Sequence, residues 1–243
     1  MTDLRSVSTS RNNDANLKGG TFVSPCFRSR RRNLSKDYKT VRNAANDEFV
    51  EKRSRFIGYV KPVTTEEEAT AFISEIRSRH WDARHNVYAY SLREGNIKRY
   101  SDDGEPSGTA GMPMLDVIVK NEIVDVCVVV TRYFGGVLLG TGGLVRAYSQ
   151  GCKIALEAGE IILMQSCLIC AVRCNYNQYG KVSSLIMETG GVVDDTVFES
   201  DVQLKFHIQP ELLAQLNKRL ADATAGEIQA EADGEDYFIA ETE

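Results

Sequence analysis

The stretch TRYFGGVLLGTGGLVRAYSQG occupies residues 131–151 and contains six glycines between positions 135 and 151. An apolar run, residues 124–130, precedes it, and apolar residues at helical spacing continue from it to Ala158. A short apolar run before a turn is typical of a strand covered on both faces, and the later spacing is typical of an amphipathic helix. The stretch therefore predicts a strand, a glycine-rich turn and a helix over 143–158 that Gly159 ends.

The glycine-rich turn is a candidate anion site. A helix N-terminus presents unpaired backbone N–H groups, and glycines let a ligand approach the backbone closely. Arg132 precedes the turn and Arg146 follows it, so both guanidinium groups could pair with one phosphate. The predicted anion- and nucleic-acid-binding residues are Arg132, Tyr133, Phe134, Gly135, Gly136, Gly140, Thr141, Gly142, Gly143 and Arg146.

A structural interpretation of the same turn stays open. Glycines also form tight turns and close strand–helix contacts, and the spacing matches neither the P-loop nor the dinucleotide-binding motif. In that case Arg132 would pair inside the protein, with Asp102 or Glu105 as its partner. The sequence does not decide between these interpretations.

A second candidate set combines His85 with three carboxylates, Asp102, Asp103 and Glu105, of the segment DDGEPSGTAGMP at 102–113. An imidazole and carboxylates together could bind a metal ion or transfer protons. The same residue types also stabilise turns through hydrogen bonds to the backbone. We predict no catalytic residue, and we keep this set only as a secondary site.

The cysteines invite a metal interpretation that their spacing argues against. Of six cysteines, Cys167, Cys170 and Cys174 form the pattern CxxCxxxC on a predicted strand. Residues separated by an odd number of positions point to opposite faces of a strand, so Cys167 and Cys170 cannot share one tetrahedral ion. We predict reduced, buried thiols, no metal and no cofactor.

The first 36 residues are rich in Ser, Asn, Arg and Gly and lack apolar periodicity, which predicts a disordered tail. Residues 1–46 carry ten Lys or Arg against three Asp, whereas the remainder carries 19 against 31 acidic residues. The basic tail could therefore contact a polyanion such as RNA. A transit peptide or an over-long start remain alternative interpretations.

The rest of the chain predicts two α+β domains. The first, residues 37–163, begins with short strands up to Pro62, followed by a helix over 66–79, a hairpin over 86–101, a short helix over 114–120 and a strand over 123–131. The second, residues 164–243, has the order β-α-β-β-α-β with a last strand over 226–233. That order is typical of a ferredoxin-like domain.

Three blocks, AYSL (89–92), DDGEPSGTAGMP (102–113) and VVVTRYFGGVLLGTGGLVRAY (128–148), resemble the signatures of the bacterial YigZ and eukaryotic IMPACT proteins. The resemblance implies a first domain with the α+β fold found in a ribosomal protein and in translocation factors, and a ferredoxin-like second domain. It also implies a role in regulating translation under stress. Eukaryotic members carry a further N-terminal domain for their protein partner, which a 36-residue tail is too short to contain.

We therefore predict a cytoplasmic, non-enzymatic regulator of translation or of a stress response that binds RNA or the ribosome through the arginine–glycine set. Two alternatives stay open. One is an enzyme or binding protein for a small phosphorylated molecule or nucleotide, with Asp102, Asp103 or Glu105 as the base. The other is an adaptor that binds only protein through the acidic C-terminal region. The apolar runs are too short to span a membrane.

Overall fold

A computed structural model describes residues 37–240 of the 243-residue chain. The predicted disorder of residues 1–36 lies outside the described residues. The elements in the first half of the described chain are β1 (Tyr38–Val41), β2 (Ala45–Glu51), β3 (Ser54–Pro62), α1 (Glu66–Arg79), β4 (His85–Leu92), β5 (Ile97–Ser101), α2 (Gly111–Lys120), β6 (Val126–Tyr133) and α3 (Thr141–Ala158). Those that follow are β7 (Ile161–Cys174), α4 (Tyr176–Glu188), β8 (Val192–Phe198), β9 (Val202–Ile208), α5 (Leu213–Thr224) and β10 (Glu231–Ile239).

The first sheet is antiparallel and has the strand order β2-β3-β6-β4-β5. Helix α1 covers one face, and helices α2 and α3 cover the other. The central strand β6 alternates between these layers, because Val128 faces α2 and α3 while Val129 faces α1. The predicted burial of this apolar strand on both faces is confirmed, and its carboxyl end delivers Arg132 beside the glycine-rich turn.

Local sequence accounts for the boundaries of α1. The side chain of Thr65 accepts a hydrogen bond from the N–H of Glu68 at 3.2 Å, as an N-cap residue does. The carboxylate of Glu68 in turn accepts a hydrogen bond from the N–H of Thr64 at 2.6 Å. In a capping box this donor is the N–H of the N-cap residue itself, which here is Thr65. The predicted range 66–79 is confirmed.

Helix α3 packs very closely on the first sheet at a contact between two glycines. A Cβ atom built on Gly58 of β3 would lie 2.2 Å from the carbonyl oxygen of Gly151 in α3. Any side chain at position 58 would push the helix away from the sheet. Gly151, the last glycine of the 131–151 stretch, therefore serves strand–helix packing rather than the turn.

The second sheet contains the ferredoxin-like arrangement that the element order predicts. Strands β10, β7, β9 and β8 are neighbours in that order, and all the pairs are antiparallel. Helices α4 and α5 share the core of one face with β7 and β9 through residues such as Ile186, Leu216 and Phe206. The two-domain α+β fold class is confirmed.

Several predicted boundaries shift. The last strand spans Glu231–Ile239 rather than 226–233, and it pairs with β7. Strand β1, placed in the first domain by the sequence, pairs with the start of β7 in the second sheet. Helix α2 begins at Gly111 instead of 114, and β6 spans Val126–Tyr133 instead of 123–131. Among residues 37–240, no helix combines the length and apolar character that crossing a membrane requires.

Candidate functional site

A buried ion pair occupies the end of strand β6. Nη1 of Arg132 lies 2.5 Å from Oε1 of Glu105, and Arg132 is 5% exposed. The hydroxyl of Tyr148, from α3, donates to the same carboxylate oxygen at 2.8 Å. Burial, and then the charge of Glu105, raise the pKa of Tyr148, so its hydroxyl stays protonated and remains a donor. The interpretation in which Arg132 pairs inside the protein with Glu105 therefore matches the structure.

His85 lies against this pair. Cα atoms of His85 and Arg132 are register partners on neighbouring strands, and Nε2 of His85 is 3.7 Å from Oε1 of Glu105. Its other nitrogen, Nδ1, is 2.8 Å from the carbonyl oxygen of Asp103. Because a carbonyl only accepts hydrogen bonds, Nδ1 carries a proton and Nε2 is left facing Glu105.

The two aspartates of the secondary set serve the loop instead. Asp102 accepts hydrogen bonds from the N–H groups of Gly108, Ala110 and Gly111, at 2.8, 3.1 and 2.8 Å, where α2 begins. Asp103 accepts a 2.6 Å hydrogen bond from the N–H of Asn86 and forms a 2.7 Å ion pair with Arg77. The four predicted residues thus divide: His85 and Glu105 meet, while Asp102 and Asp103 hold the loop beside them.

No group of three or more His, Cys, Asp or Glu side chains suited to a metal ion occurs between residues 37 and 240. Cys170 and Cys174 belong to the core beneath α4 and α5, whereas Cys167 lines a cavity beside His207. This placement follows from the odd separation of Cys167 and Cys170 on β7.

A cavity of about 530 Å³ opens between the end of β6 and the start of α3. Its wall contains Arg84, His85, Glu105, Pro106, Arg132, Phe134, Leu138, Leu139, Gly140, Thr141 and Leu144. The charged members are two arginines and one carboxylate, so the cavity carries net positive charge. The volume lies within the range of small-molecule sites.

The N-terminus of α3 forms one side of this cavity. Its N-cap, Gly140, has φ 73°, a left-handed conformation that glycine adopts freely, and no side chain among residues 37–240 caps the helix. No atom of the part of the chain that the structure describes lies within 4 Å of a Cβ atom built on Gly136, Gly140 or Gly142, which leaves room for a ligand beside this backbone. The 18-residue helix directs its unpaired first-turn N–H groups and positive dipole end to this region.

Arg132 contributes a second, independent feature to the same cavity. Its Nε is buried and has no hydrogen-bond partner among residues 37–240. Leaving a buried donor unpaired costs about 1–3 kcal/mol. An acceptor bound in the cavity would offset that cost. The guanidinium also lies 5.5 Å from the ring centre of Phe134, a residue of the cavity wall that is 46% exposed.

Arg146 lies elsewhere. It lines a separate cavity of about 710 Å³, whose wall also contains Lys52, Lys120 and Lys153. Arg132 and Arg146 therefore line different cavities, whereas the hypothesis drawn from the sequence has both contacting one anion. The reason is the helical turn: Arg146 follows Thr141 by five residues, which places it on another side of α3.

Other members of the predicted set also have structural roles. The hydroxyl of Tyr133 donates to Asp82 at 3.1 Å and lies 2.8 Å from Nδ1 of His80, so this ring is held by the protein. Gly135 packs against the backbone of Arg53, since a Cβ atom there would lie 2.0 Å from its carbonyl oxygen. Gly143 lines the larger cavity with Arg146.

Two residues of this site carry no signal in the sequence. Tyr148 is a buried residue of α3, and nothing in the spacing of the sequence indicates the hydrogen bond from its hydroxyl to Glu105. Arg84 was not singled out, and it reaches the cavity because its N–H donates to the carbonyl of Arg132 at 3.0 Å.

Comparison with known families supports both domains. The model of the Impact N-terminal domain matches residues 52–156, and that of a domain of unknown function, DUF1949, matches residues 172–227. A crystal structure described as that of a hypothetical protein aligns with a TM-score of 0.52 and 31% identity, covering 82% of this chain and 98% of the other.

Individual relatives extend over most of the chain. The IMPACT family member YvyE of Bacillus subtilis (strain 168) is 36% identical over 190 residues, which cover 78% of this chain and 88% of that protein. The family member YigZ of Escherichia coli (strain K12) is 34% identical over 181 residues, covering 73% and 89%. The IMPACT homolog of Dictyostelium discoideum is 39% identical over 95 residues, 37% of this chain and 27% of that protein. Both domain models match this chain, and the two bacterial family members match it over most of their length. The chain therefore belongs to the IMPACT family.

Proposed function

We propose that this protein is a cytoplasmic, non-enzymatic regulator of translation or of a stress response, and that it binds RNA through the cavity between β6 and α3. One observation carries the proposal. The uncapped N-terminus of α3 and a buried arginine with an unpartnered Nε line the same net-positive cavity. Helix N-termini and guanidinium groups are both preferred partners of phosphate.

The regulatory part of the proposal rests on membership of the IMPACT family, whose matched relatives come from bacteria and eukaryotes. The RNA part rests on the neighbouring aromatic side chain. Phe134 presents an exposed ring beside the arginine, and aromatic rings near a phosphate site favour nucleobases over free phosphate.

The carboxylate in the cavity supports a non-enzymatic role. Oε1 of Glu105 accepts hydrogen bonds from both Arg132 and Tyr148, so this oxygen is already engaged inside the protein. Asp102 accepts a hydrogen bond from the N–H of Gly111 at the start of α2, and Asp103 accepts one from the N–H of Asn86 in β4. The residues suggested as a base for an enzyme are therefore held in structural hydrogen bonds.

A small phosphorylated molecule or nucleotide is the alternative ligand, favoured by the cavity volume of about 530 Å³. RNA and a mononucleotide can be distinguished by how the affinity depends on the number of nucleotides in the ligand. An RNA contacts the protein beyond one phosphate, so its affinity should rise with the number of nucleotides and fall with salt concentration. A mononucleotide site would bind one nucleotide as tightly as a longer chain.

The test is fluorescence anisotropy with a labelled oligouridylate of about 12 nucleotides, competed by uridine monophosphate, across a salt series. Thr141→Glu places a negative charge at the exposed start of α3, and Phe134→Ala removes the ring; both should weaken binding about tenfold. Arg146→Ala, in the other cavity, is the matched charge control and should change affinity little. Unchanged affinity in both folded cavity variants would refute the proposal.

A further inference from the structure

The larger cavity, of about 710 Å³, is formed by the end of β2 together with helices α2 and α3. Phe49 of β2, Val117 of α2 and Leu156 of α3 contribute apolar side chains to its wall. Val145 and Ile161 also line it, and they are 37% and 42% exposed. Small-molecule sites have volumes of this size and are lined mainly by apolar side chains with a few polar groups.

Three cationic side chains at this cavity have no partner in the described part of the protein. Lys52 follows β2, Lys120 ends α2 and Arg146 belongs to α3, and all three residues are exposed. None of their side chains forms an ion pair, a hydrogen bond or a cation–π contact with another residue between 37 and 240. Unpaired cations from three separate elements therefore surround one concave apolar surface, and their combined field attracts an anion.

The remaining charges at the cavity do not neutralise these three cations. Glu157 pairs with Lys153 at 3.8 Å, one helical turn away on α3. Glu51 is then the one acidic residue of the described wall without such a partner. The wall contains four basic and two acidic residues, so it carries a net charge of +2.

The apolar part of the wall is aliphatic, which distinguishes this cavity from the one between β6 and α3. Phe49 is the one aromatic residue of the wall that the structure describes, and its half-buried ring stacks on Phe56 with 5.2 Å between ring centres. The cavity thus lacks the exposed ring that favours a nucleobase. Val117 and Val145 instead offer branched aliphatic surface, against which an aliphatic chain is stabilised by the removal of apolar area from water.

We propose that this cavity binds one monomeric amphipathic anion, namely an aliphatic chain that ends in a carboxylate or phosphate group. The chain lies against the aliphatic wall, and the head group pairs with the cations around it. Arg146 presents a planar fork of donors that matches either head group. The inference does not rest on the RNA proposal, because it concerns another cavity and other charged side chains.

Isothermal titration calorimetry of the full chain with decanoate, at concentrations where decanoate is monomeric, tests this inference. We expect one molecule to bind per chain. Butyrate has the same head group on a short chain, and decan-1-ol has the chain without the charge, so each should bind weaker by about tenfold or more. A parallel titration with decyl phosphate shows which of the two head groups the cavity prefers.

Variants of the wall locate the ligand. Arg146→Ala and Lys120→Ala each remove one cation and should each lower the affinity for decanoate about three- to tenfold. Val145→Asp replaces an exposed apolar side chain with a negative charge and should weaken binding further. Lys98→Ala is the matched control, because it removes an exposed lysine of β5 at the opposite edge of the first sheet from β2. Thermal melting shows whether each variant is folded.

The outcomes separate this inference from the proposed function. Weaker decanoate binding by Arg146→Ala, with unchanged affinity for the oligouridylate, supports the cavity site whether or not the RNA site stands. Equal decanoate affinity in all the folded variants, or binding of many molecules per chain, would overturn the site. Binding that occurs only to micelles would overturn the monomeric ligand. If Arg146→Ala weakens the binding of oligouridylate and not of decanoate, the cavity is an RNA surface and the inference fails.

Discussion

Oε1 of Glu105 accepts hydrogen bonds from Nη1 of Arg132 and from the hydroxyl of Tyr148, at 2.5 and 2.8 Å. The three residues come from the loop before α2, from β6 and from α3, so this single carboxylate oxygen joins three elements of the first domain. The ion pair between Arg132 and Glu105 is buried, so removing either partner leaves the other as an unpaired charge in the interior.

Removing Glu105 should therefore destabilise the protein strongly. Glu105→Ala leaves Arg132 as an uncompensated buried charge and Tyr148 without its acceptor. We expect a loss of about 3–5 kcal/mol in the free energy of unfolding, measured by urea denaturation. Glu75→Ala, which breaks an exposed i,i+4 pair with Arg79, is the control and should cost no more than about 0.5 kcal/mol. Equal, small losses in both variants would show that the pair has no structural role.

Two glycines of the first domain should respond to alanine in opposite ways. Gly58→Ala would place a methyl group 2.2 Å from the carbonyl oxygen of Gly151 and force α3 from the sheet, at a cost of about 1–3 kcal/mol or more. Gly142→Ala, in the first turn of α3, meets no atom within 4 Å and has no positive φ. It should raise stability by up to about 1 kcal/mol, because alanine favours the helix. Thermal melting of both variants tests the contrast, and a stable Gly58→Ala protein would contradict it.

Stability should fall as the pH is lowered through the titration range of His80. Burial, and then the charge of Arg79, lower the pKa of His80 below its usual value. Its two ring nitrogens lie 2.6 and 2.8 Å from the hydroxyls of Tyr59 and Tyr133. The unfolded chain then binds the proton more readily than the folded one, so stability is complete above about pH 6.5 and is lost below it.

The measurement for this prediction is the urea midpoint between about pH 5 and pH 8, together with a nuclear magnetic resonance titration of His80. His80→Gln should flatten the pH dependence, since glutamine does not titrate. A titration midpoint for His80 above that of a free histidine would reverse the predicted slope.

The buried cysteines should resist thiol reagents. Burial raises the pKa of Cys127 and Cys152, and it raises the pKa of Cys167 and of Cys170 to about 11 each. A thiolate is the reactive form, so each of these groups should react slowly at neutral pH. The assay compares native and denatured protein carrying Cys26→Ser, which removes the cysteine outside the described residues. Rapid modification of several thiols in the native protein would show that they are accessible.

Much of the fold could be predicted because its cause is local. Helix α1 follows from the capping residue Thr65 and from apolar residues at helical spacing, and the hairpin of β4 and β5 follows from alternation around Gly95, which has φ 72°. The order of the elements after β6 indicated the ferredoxin-like sheet. The last strand was misplaced because residues 226–233 and 231–239 have similar composition, and only pairing with β7 selects the register.

The sequence by itself determined the elements, the two-domain α+β architecture, and the set of arginine, histidine and acidic residues from which a site could be built. Tertiary structure decided how those residues group. It joined Arg132 to Glu105 and placed Arg132 and Arg146 in the walls of different cavities. The physical reason is that periodicity reports which face of an element is buried, whereas contacts between residues distant along the chain depend on how whole elements pack against one another.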